Sequence, residues 1–162
     1  MTDQAAHGDP LERLAAAYAE HAQVTAVACA GSRATQLADA ASDTDIYVYI
    51  TAPISLAARA EIARGPRVEL DNRFFEPGDE WLDATGRHYD VMFRATHWLE
   101  DQLDRVLRRH EASVGYSTAF WHNVRASTIL YDRVGWFAAQ QSRARGDYPE
   151  ALRRAIIAKN RP

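Results

Sequence analysis

Residues 30–50, AGSRATQLADAASDTDIYVYI, contain the most informative pattern in the chain. A Gly-Ser pair is followed by ten residues and then by two aspartates, one residue apart, at the start of a strand-like run. Alternate residues of a strand point to the same face, so Asp43 and Asp45 are expected to direct their carboxylates to one place. Two adjacent like charges are costly unless a cation neutralises them, and Mg²⁺ prefers oxygen ligands of this kind.

The Gly-Ser pair has little meaning alone, but the chemistry of its two residues suits phosphate binding. Gly31 lets the backbone approach a phosphate closely. Ser32 offers a hydroxyl and an amide at a predicted helix start, where anions bind. Arg33 follows directly and would steady the same phosphate. Gly31, Ser32 and Arg33 are therefore the candidate nucleotide-binding residues.

A third carboxylate lies inside a later predicted strand, RHYDVMFR at residues 87–94. Alternation places Asp90 on the same face as His88 and Met92. An acidic residue in the middle of an otherwise apolar sheet needs a partner, and a metal bound by the two earlier aspartates would supply one. His88 is expected to be an ordinary strand histidine, either solvated or hydrogen-bonded.

Strand-like and helix-like segments alternate along the rest of the sequence. Strands are predicted at residues 24–30, 45–50, 67–75, 87–94 and 128–131, and helices at residues 11–21, 33–41, 55–64, 96–109, 133–145 and 149–160. Residues 76–79 (EPGD) are interpreted as a turn, and Thr96 as a helix cap. This alternation predicts an α/β or α+β fold, a mixed sheet flanked by helices.

The chain is interpreted as a single domain over residues 1–162, with its core at about 24–132 and closing helices at about 133–160. In the last helix Leu152, Ala155 and Ile156 share a face that requires burial. Either this helix packs back onto the sheet, or it begins a helical region that the sequence does not complete.

Composition excludes several classes of protein. The 162 residues include 19 basic and 22 acidic side chains, a net charge of -3, so no nucleic-acid partner is expected. The lone Cys29 excludes disulfides and cysteine metal clusters within one chain, and its apolar strand predicts a buried thiol. No signal peptide and no membrane-spanning apolar run is apparent, which predicts a cytoplasmic protein without a membrane partner.

The Gly-Ser pair, the Asp-x-Asp motif and the later strand aspartate resemble the DNA polymerase β-type nucleotidyltransferase superfamily. Within it, small bacterial aminoglycoside and lincosamide nucleotidyltransferases are the most similar in size and layout. The resemblance covers residues 24–131 and implies a polymerase β-like fold with two Mg²⁺ ions. It implies that Asp43 and Asp45 bind both ions, that Asp90 holds the catalytic one, and that the Gly-Ser turn holds the triphosphate. ATP is the expected nucleotide, because such families most often transfer AMP.

The predicted reaction transfers a nucleoside monophosphate to a hydroxyl and releases pyrophosphate by in-line displacement. Asp90 is the best candidate for the general base, since it would lie beside the catalytic metal and the acceptor. The acceptor is expected to be a small molecule such as an aminoglycoside-like antibiotic, or else a protein. A homodimer is also expected, because a second copy's helices would supply an acceptor wall that one short chain lacks.

The alternative hypothesis is a binding module of the same fold. It would be a non-catalytic nucleotide-binding protein or an antitoxin-like partner, with the apolar face at residues 152–156 as its docking surface. Turnover separates the two hypotheses, because only the enzyme releases pyrophosphate.

Overall fold

A computed structural model describes residues 9–30, 43–74, 76–115 and 118–161. Its strands are β1 Val24–Ala30, β2 Thr44–Ile50, β3 Arg67–Asn72, β4 Gly78–Leu82, β5 His88–Ala95 and β6 Thr128–Asp132. Its α-helices are α1 Pro10–Ala19, α2 Leu56–Ile62, α3 Thr96–Leu107, α4 Ala119–Ala126, α5 Trp136–Ala144 and α6 Glu150–Asn160. None of these helices combines the length and the apolar character needed to cross a bilayer.

The strands form one sheet in the order β3-β4-β5-β2-β1-β6. The central pair, β2 and β5, is parallel. The other neighbouring strands are antiparallel. The sheet is therefore mixed, and helices pack on both of its faces.

Side chains of β2 alternate between two apolar clusters, as the sequence predicted. Ile46, Val48 and Ile50 pack with α1 and α2, on what we term the α1/α2 face. Tyr47 and Tyr49 pack with α3, α4, α5 and α6, on the α3–α6 face. Since both faces are covered, the strand is apolar along most of its length.

The last helix packs back onto the sheet. Leu152 of α6 is fully buried in the cluster on the α3–α6 face, and the half-buried Ile156 packs against the same cluster. The prediction that residues 152–156 form an exposed docking surface is therefore wrong. The binding-module hypothesis loses the feature on which it rested.

Strand β4 is a correction to the sequence prediction, which placed a turn at residues 76–79. Gly78 and Asp79 instead begin a strand that pairs with both β3 and β5. A side chain at position 78 would bring its Cβ to 2.6 Å from the carbonyl oxygen of Val91. Glycine at this position thus permits close approach of two strands and does not mark a turn.

Helix boundaries differ in two further places. Ala95, and not Thr96, occupies the cap position of α3, where no side chain caps the helix. Helix α4, with sequence AFWHNVRA, was not predicted, because eight residues are too few to establish a helical period.

The helix predicted at residues 133–145 is divided in two. A short 3-10 turn at Arg133–Gly135 precedes α5, since Val134 and Gly135 have positive φ angles of 56° and 72°. Such values interrupt a right-handed helix. The helix predicted at residues 33–41 lies outside the described residues.

A buried ion pair anchors β4 from the α1/α2 face. Arg59 of α2 places its Nη1 atom 3.1 Å from Oδ1 of Asp79, and both side chains are buried. The same carboxylate oxygen accepts a 2.9 Å hydrogen bond from the Asp71 backbone amide. Burial raises the pKa of Asp79, although the Asp71 amide and Arg59 act in the opposite direction.

Replacing Arg59 with leucine should destabilise the fold by about 3 kcal/mol, because it leaves the Asp79 carboxylate buried without a counter-charge. Urea denaturation measures this loss. The double variant Arg59→Leu/Asp79→Asn should be more stable than Arg59→Leu alone, since the asparagine removes the charge and still accepts from Asp71. Additive losses in the double variant would contradict this account.

Candidate functional site

A row of four carboxylates crosses the sheet on the α3–α6 face. The parallel register places Asp45 of β2 directly beside Asp90 of β5. Asp90 is paired in turn with Glu80 of β4, and Glu80 with Glu69 of β3. Directly paired residues point to the same face of a sheet, so we term these four side chains the acidic row.

The acidic row lies just beyond the helices that cover this face. Tyr47 and Met92, two residues further along β2 and β5, pack against the apolar cluster of the α3–α6 face. Asp45 and Asp90 themselves are half-buried. Two acids are therefore held at the boundary between the apolar core and solvent, where a ligand has access.

Asp43 contacts His88, which lies on the same face of the sheet. It precedes β2, and its Oδ1 lies 2.9 Å from Nδ1 of His88. His88 and Asp90 are alternate residues of β5 and share a face. The structure therefore brings Asp43, Asp45 and Asp90 to one place, as expected, while their roles in binding or catalysis remain predictions.

The three candidate nucleotide-binding residues, Gly31, Ser32 and Arg33, lie outside the described residues. Their role remains a prediction. Strand β1 ends at Ala30, which is paired with Asp45.

The surroundings of the two central aspartates disfavour negative charge. Burial raises the pKa of Asp90 to about 6, and the neighbouring carboxylates of Glu80 and Asp45 add to the effect. Burial also raises the pKa of Asp45, with a further contribution from Asp43. His88 lowers both values without offsetting the increase. A bound cation would relieve this repulsion.

The donor chemistry of Asp43, Asp45 and Asp90 fits Mg²⁺, because carboxylate oxygens suit a hard divalent cation. Their side chains are not arranged as a closed coordination sphere. Among the residues that the structure describes, no group of three or more His, Cys, Asp or Glu side chains is placed to hold an ion. Ion binding would therefore require at least one of the three side chains to change its rotamer.

Two cavities border the acidic row and meet at Glu80. One has a volume of about 130 Å³ and is lined by Asn72, Phe74, Glu76, Gly78, Glu80, Asp90 and Met92. The other has a volume of about 200 Å³ and is lined by Arg67, Glu69, Glu80, Trp81, Leu82 and His88. The side of the row formed by β3 and β4 thus has two small recesses that are open to solvent.

Sequence reasoning missed the position of Glu80, because it missed the strand that carries it. The local sequence gives no strand signal there: residues 79–82 are two acidic residues followed by two apolar ones, without alternation, and the preceding Pro-Gly pair is typical of a turn. Trp81 is buried and stacked on Tyr89, with ring centroids 5.0 Å apart, so it covers the sheet. Cys29 is buried, as predicted.

Comparisons with known proteins bear on the fold. No protein-family model matches the chain, and no curated protein matches it. Among solved structures, the chain is similar to a nucleotidyltransferase-like protein from Exiguobacterium sibiricum 255-15, with a TM-score of 0.50 and 12% identity. The fold is nucleotidyltransferase-like. The match covers 88% of this chain and 41% of the other, so the chain spans about two-fifths of that protein's length.

The nucleotidyltransferase-like fold confirms the predicted α+β class, a mixed sheet flanked by helices. At this identity the similarity establishes the fold alone. The predicted resemblance to aminoglycoside and lincosamide enzymes remains a prediction.

Replacing Asp90 with asparagine should stabilise the protein at about pH 8 and have little effect near pH 4. The folded-state pKa of about 6 exceeds the unfolded value, so the folded protein binds the extra proton. The free energy of unfolding therefore falls as pH rises from about 4 to about 6 and stays lower above that range. Since the side chain is half-exposed, solvent screening reduces the gain at pH 8 to about 1 kcal/mol, or about 3 °C in Tm.

Thermal melts of both proteins at the two pH values test this expectation. An equal change in Tm at both values would show that the effect does not arise from the Asp90 charge.

Proposed function

We propose that the chain is a Mg²⁺-dependent nucleotidyltransferase that transfers a nucleoside monophosphate from a nucleoside triphosphate to a hydroxyl. The observation that carries the proposal is the parallel register that places Asp45 beside Asp90 on a nucleotidyltransferase-like sheet. Asp43 reaches the same face through His88. Bound Mg²⁺ would neutralise charge on the triphosphate and on the departing pyrophosphate.

The three aspartates have distinct proposed roles. Asp43 and Asp45 would hold both ions, and Asp90 would hold one of them. Asp90 is also the proposed general base, since it would lie beside both the catalytic ion and the attacking hydroxyl. It would remove the proton from the attacking hydroxyl as the new bond to the α-phosphorus forms and the bond to pyrophosphate breaks.

The nucleotide would lie next to the end of β1. Gly31, Ser32 and Arg33 follow that strand and are proposed to bind the triphosphate. ATP is the proposed nucleotide, on the strength of the family resemblance.

The acceptor is proposed to be a small molecule that carries amino groups, such as an aminoglycoside-like antibiotic, with a protein hydroxyl as the other class. The cavity beside Asp90 supports a cationic acceptor. Three of its lining residues are acidic, and no described basic side chain lines it. Glu76 is already paired with Arg94, whose Nε and Nη2 atoms lie 2.7 Å and 2.8 Å from the two carboxylate oxygens. Glu80 and Asp90 are therefore left to attract an amine.

A homodimer and a cytoplasmic location complete the proposal. The helices of a second copy would extend the acceptor wall beyond the cavity between β4 and β5. Neither a nucleic-acid nor a membrane partner is proposed, since the net charge is -3.

Nucleotide binding tests the proposal directly. Calorimetry with the four nucleoside triphosphates should show Mg²⁺-dependent binding to the wild type. The Asp45→Asn variant should weaken that binding by at least about ten-fold, because it removes a charged ligand at the centre of the site. Pyrophosphate release with a panel of amino-bearing acceptors then measures turnover, which the same variant should abolish.

Glu61→Gln provides a matched control, since Glu61 is an exposed acid of α2, on the α1/α2 face. It should bind and turn over as the wild type does. Equal nucleotide binding by the wild type and Asp45→Asn would contradict the proposed site. Binding without turnover of any acceptor would favour the non-catalytic nucleotide-binding module.

A further inference from the structure

His88 connects the two sides of the candidate site. Its Nδ1 atom lies 2.9 Å from Oδ1 of Asp43. On the other side of the ring, Nε2 lies 3.9 Å from Oε2 of Glu80. A carboxylate can only accept, so the shorter contact requires a hydrogen on Nδ1 that is donated to Asp43.

The position of the Asp43 carboxylate depends on this side-chain contact. The positions of Asp45 and Asp90 depend on the backbone instead. Asp45 and Asp90 are fixed by the register of two central strands. Asp43 precedes β2, and its side chain is 64% exposed. Among the described residues, the hydrogen bond from His88 is the contact that fixes its carboxylate. Without it, several rotamers of Asp43 would be accessible at little cost.

Glu80 lies on the β3–β4 side of the imidazole ring and is itself held by Asn72. Glu80 accepts a 3.0 Å hydrogen bond from Nδ2 of Asn72 through its other oxygen, Oε1. Oδ1 of Asn72 accepts from the backbone amide of Phe74 at 2.9 Å. Hydrogen bonds therefore link the turn after β3 to Glu80, and the Glu80 carboxylate faces the His88 ring across 3.9 Å.

A bulge in β3 gives Asn72 its position beside Glu80. Asp71 has a φ of 58°, and the register between β3 and β4 shifts between Leu70 and Asn72. The bulge directs Asn72 toward Glu80. Bulges commonly redirect side chains in this way near functional sites.

We propose that His88 is a positioning residue that orients the Asp43 carboxylate for binding a divalent cation. The inference rests on the proposed function, since it presupposes that the aspartates bind an ion. It goes beyond that function by assigning a role to a residue outside the Asp-x-Asp motif. Partners that orient metal ligands typically contribute about 10- to 100-fold to metal affinity.

The positioning role can be distinguished from a purely structural one. His88 is about one-third exposed, so its removal leaves no buried cavity. His88→Ala should therefore melt close to the wild-type temperature while binding the ion more weakly. His88→Asn is the conservative variant. Its amide nitrogen occupies the place of Nδ1 and donates to Asp43, so it should keep most of the affinity.

Binding of Mn²⁺ to the full chain, followed by electron paramagnetic resonance, is the test. Mn²⁺ reports on a Mg²⁺ site, and its signal depends on neither nucleotide nor turnover. We expect His88→Ala to weaken Mn²⁺ binding by about ten-fold and His88→Asn by about three-fold or less. His122→Ala is the control, because His122 is an exposed histidine of α4. It should bind Mn²⁺ as the wild type does.

The outcomes distinguish this inference from the proposed function. If the wild type binds Mn²⁺, Asp45→Asn loses it and His88→Ala binds normally, the positioning role is overturned and the proposed site stands. Equal weakening by His88→Ala and His88→Asn would also overturn the role, because the donated hydrogen bond would not be its cause. No Mn²⁺ binding by the wild type would overturn the positioning role, whereas the proposed function is decided by the Mg²⁺-dependent nucleotide binding described above.

Discussion

The parallel pairing of β2 with β5 is the constraint on which the site depends. It sets Asp45 beside Asp90 in the middle of a sheet whose other neighbouring strands are antiparallel. A slip of one residue would turn Asp90 toward the α1/α2 face, into the apolar cluster that holds Tyr89 and Val91. The alternation that buries the core thus also keeps both acids at the open end of the α3–α6 face. A loss of register would therefore destabilise the fold and separate the two acids.

Strand β4 links the stability of the fold to the geometry of the site. Asp79 faces the α1/α2 side and pairs with Arg59, while the next residue, Glu80, faces the acidic row. Glycine at position 78 allows the strand to approach β5 closely enough for this pairing. The buried ion pair on one face therefore supports the Glu80 carboxylate on the other. Repulsion within the acidic row acts against folding, as is common where charges are kept for binding.

Local sequence patterns were sufficient for the elements whose periodicity is strong. Strand β2 is an example, since alternating aliphatic and tyrosine side chains predicted both of its faces. The pattern failed at β4, where Pro77 and Gly78 are typical of a turn and only the neighbouring backbone of Val91 explains the glycine. Strand order is a tertiary property, so no local pattern indicated that Asp90 would lie between Asp45 and Glu80. The contact of His88 with Asp43 was invisible for the same reason.

The position of β1 has a consequence for synthesis of the chain. This strand lies between β2 and β6, and β6 spans Thr128–Asp132, about a hundred residues further along. While a ribosome makes the intervening residues, one edge of β1 has no strand to pair with, and an unpaired apolar edge is a template for association with other chains. The nascent protein must therefore be shielded, or remain unfolded at this edge, until most of its length has emerged.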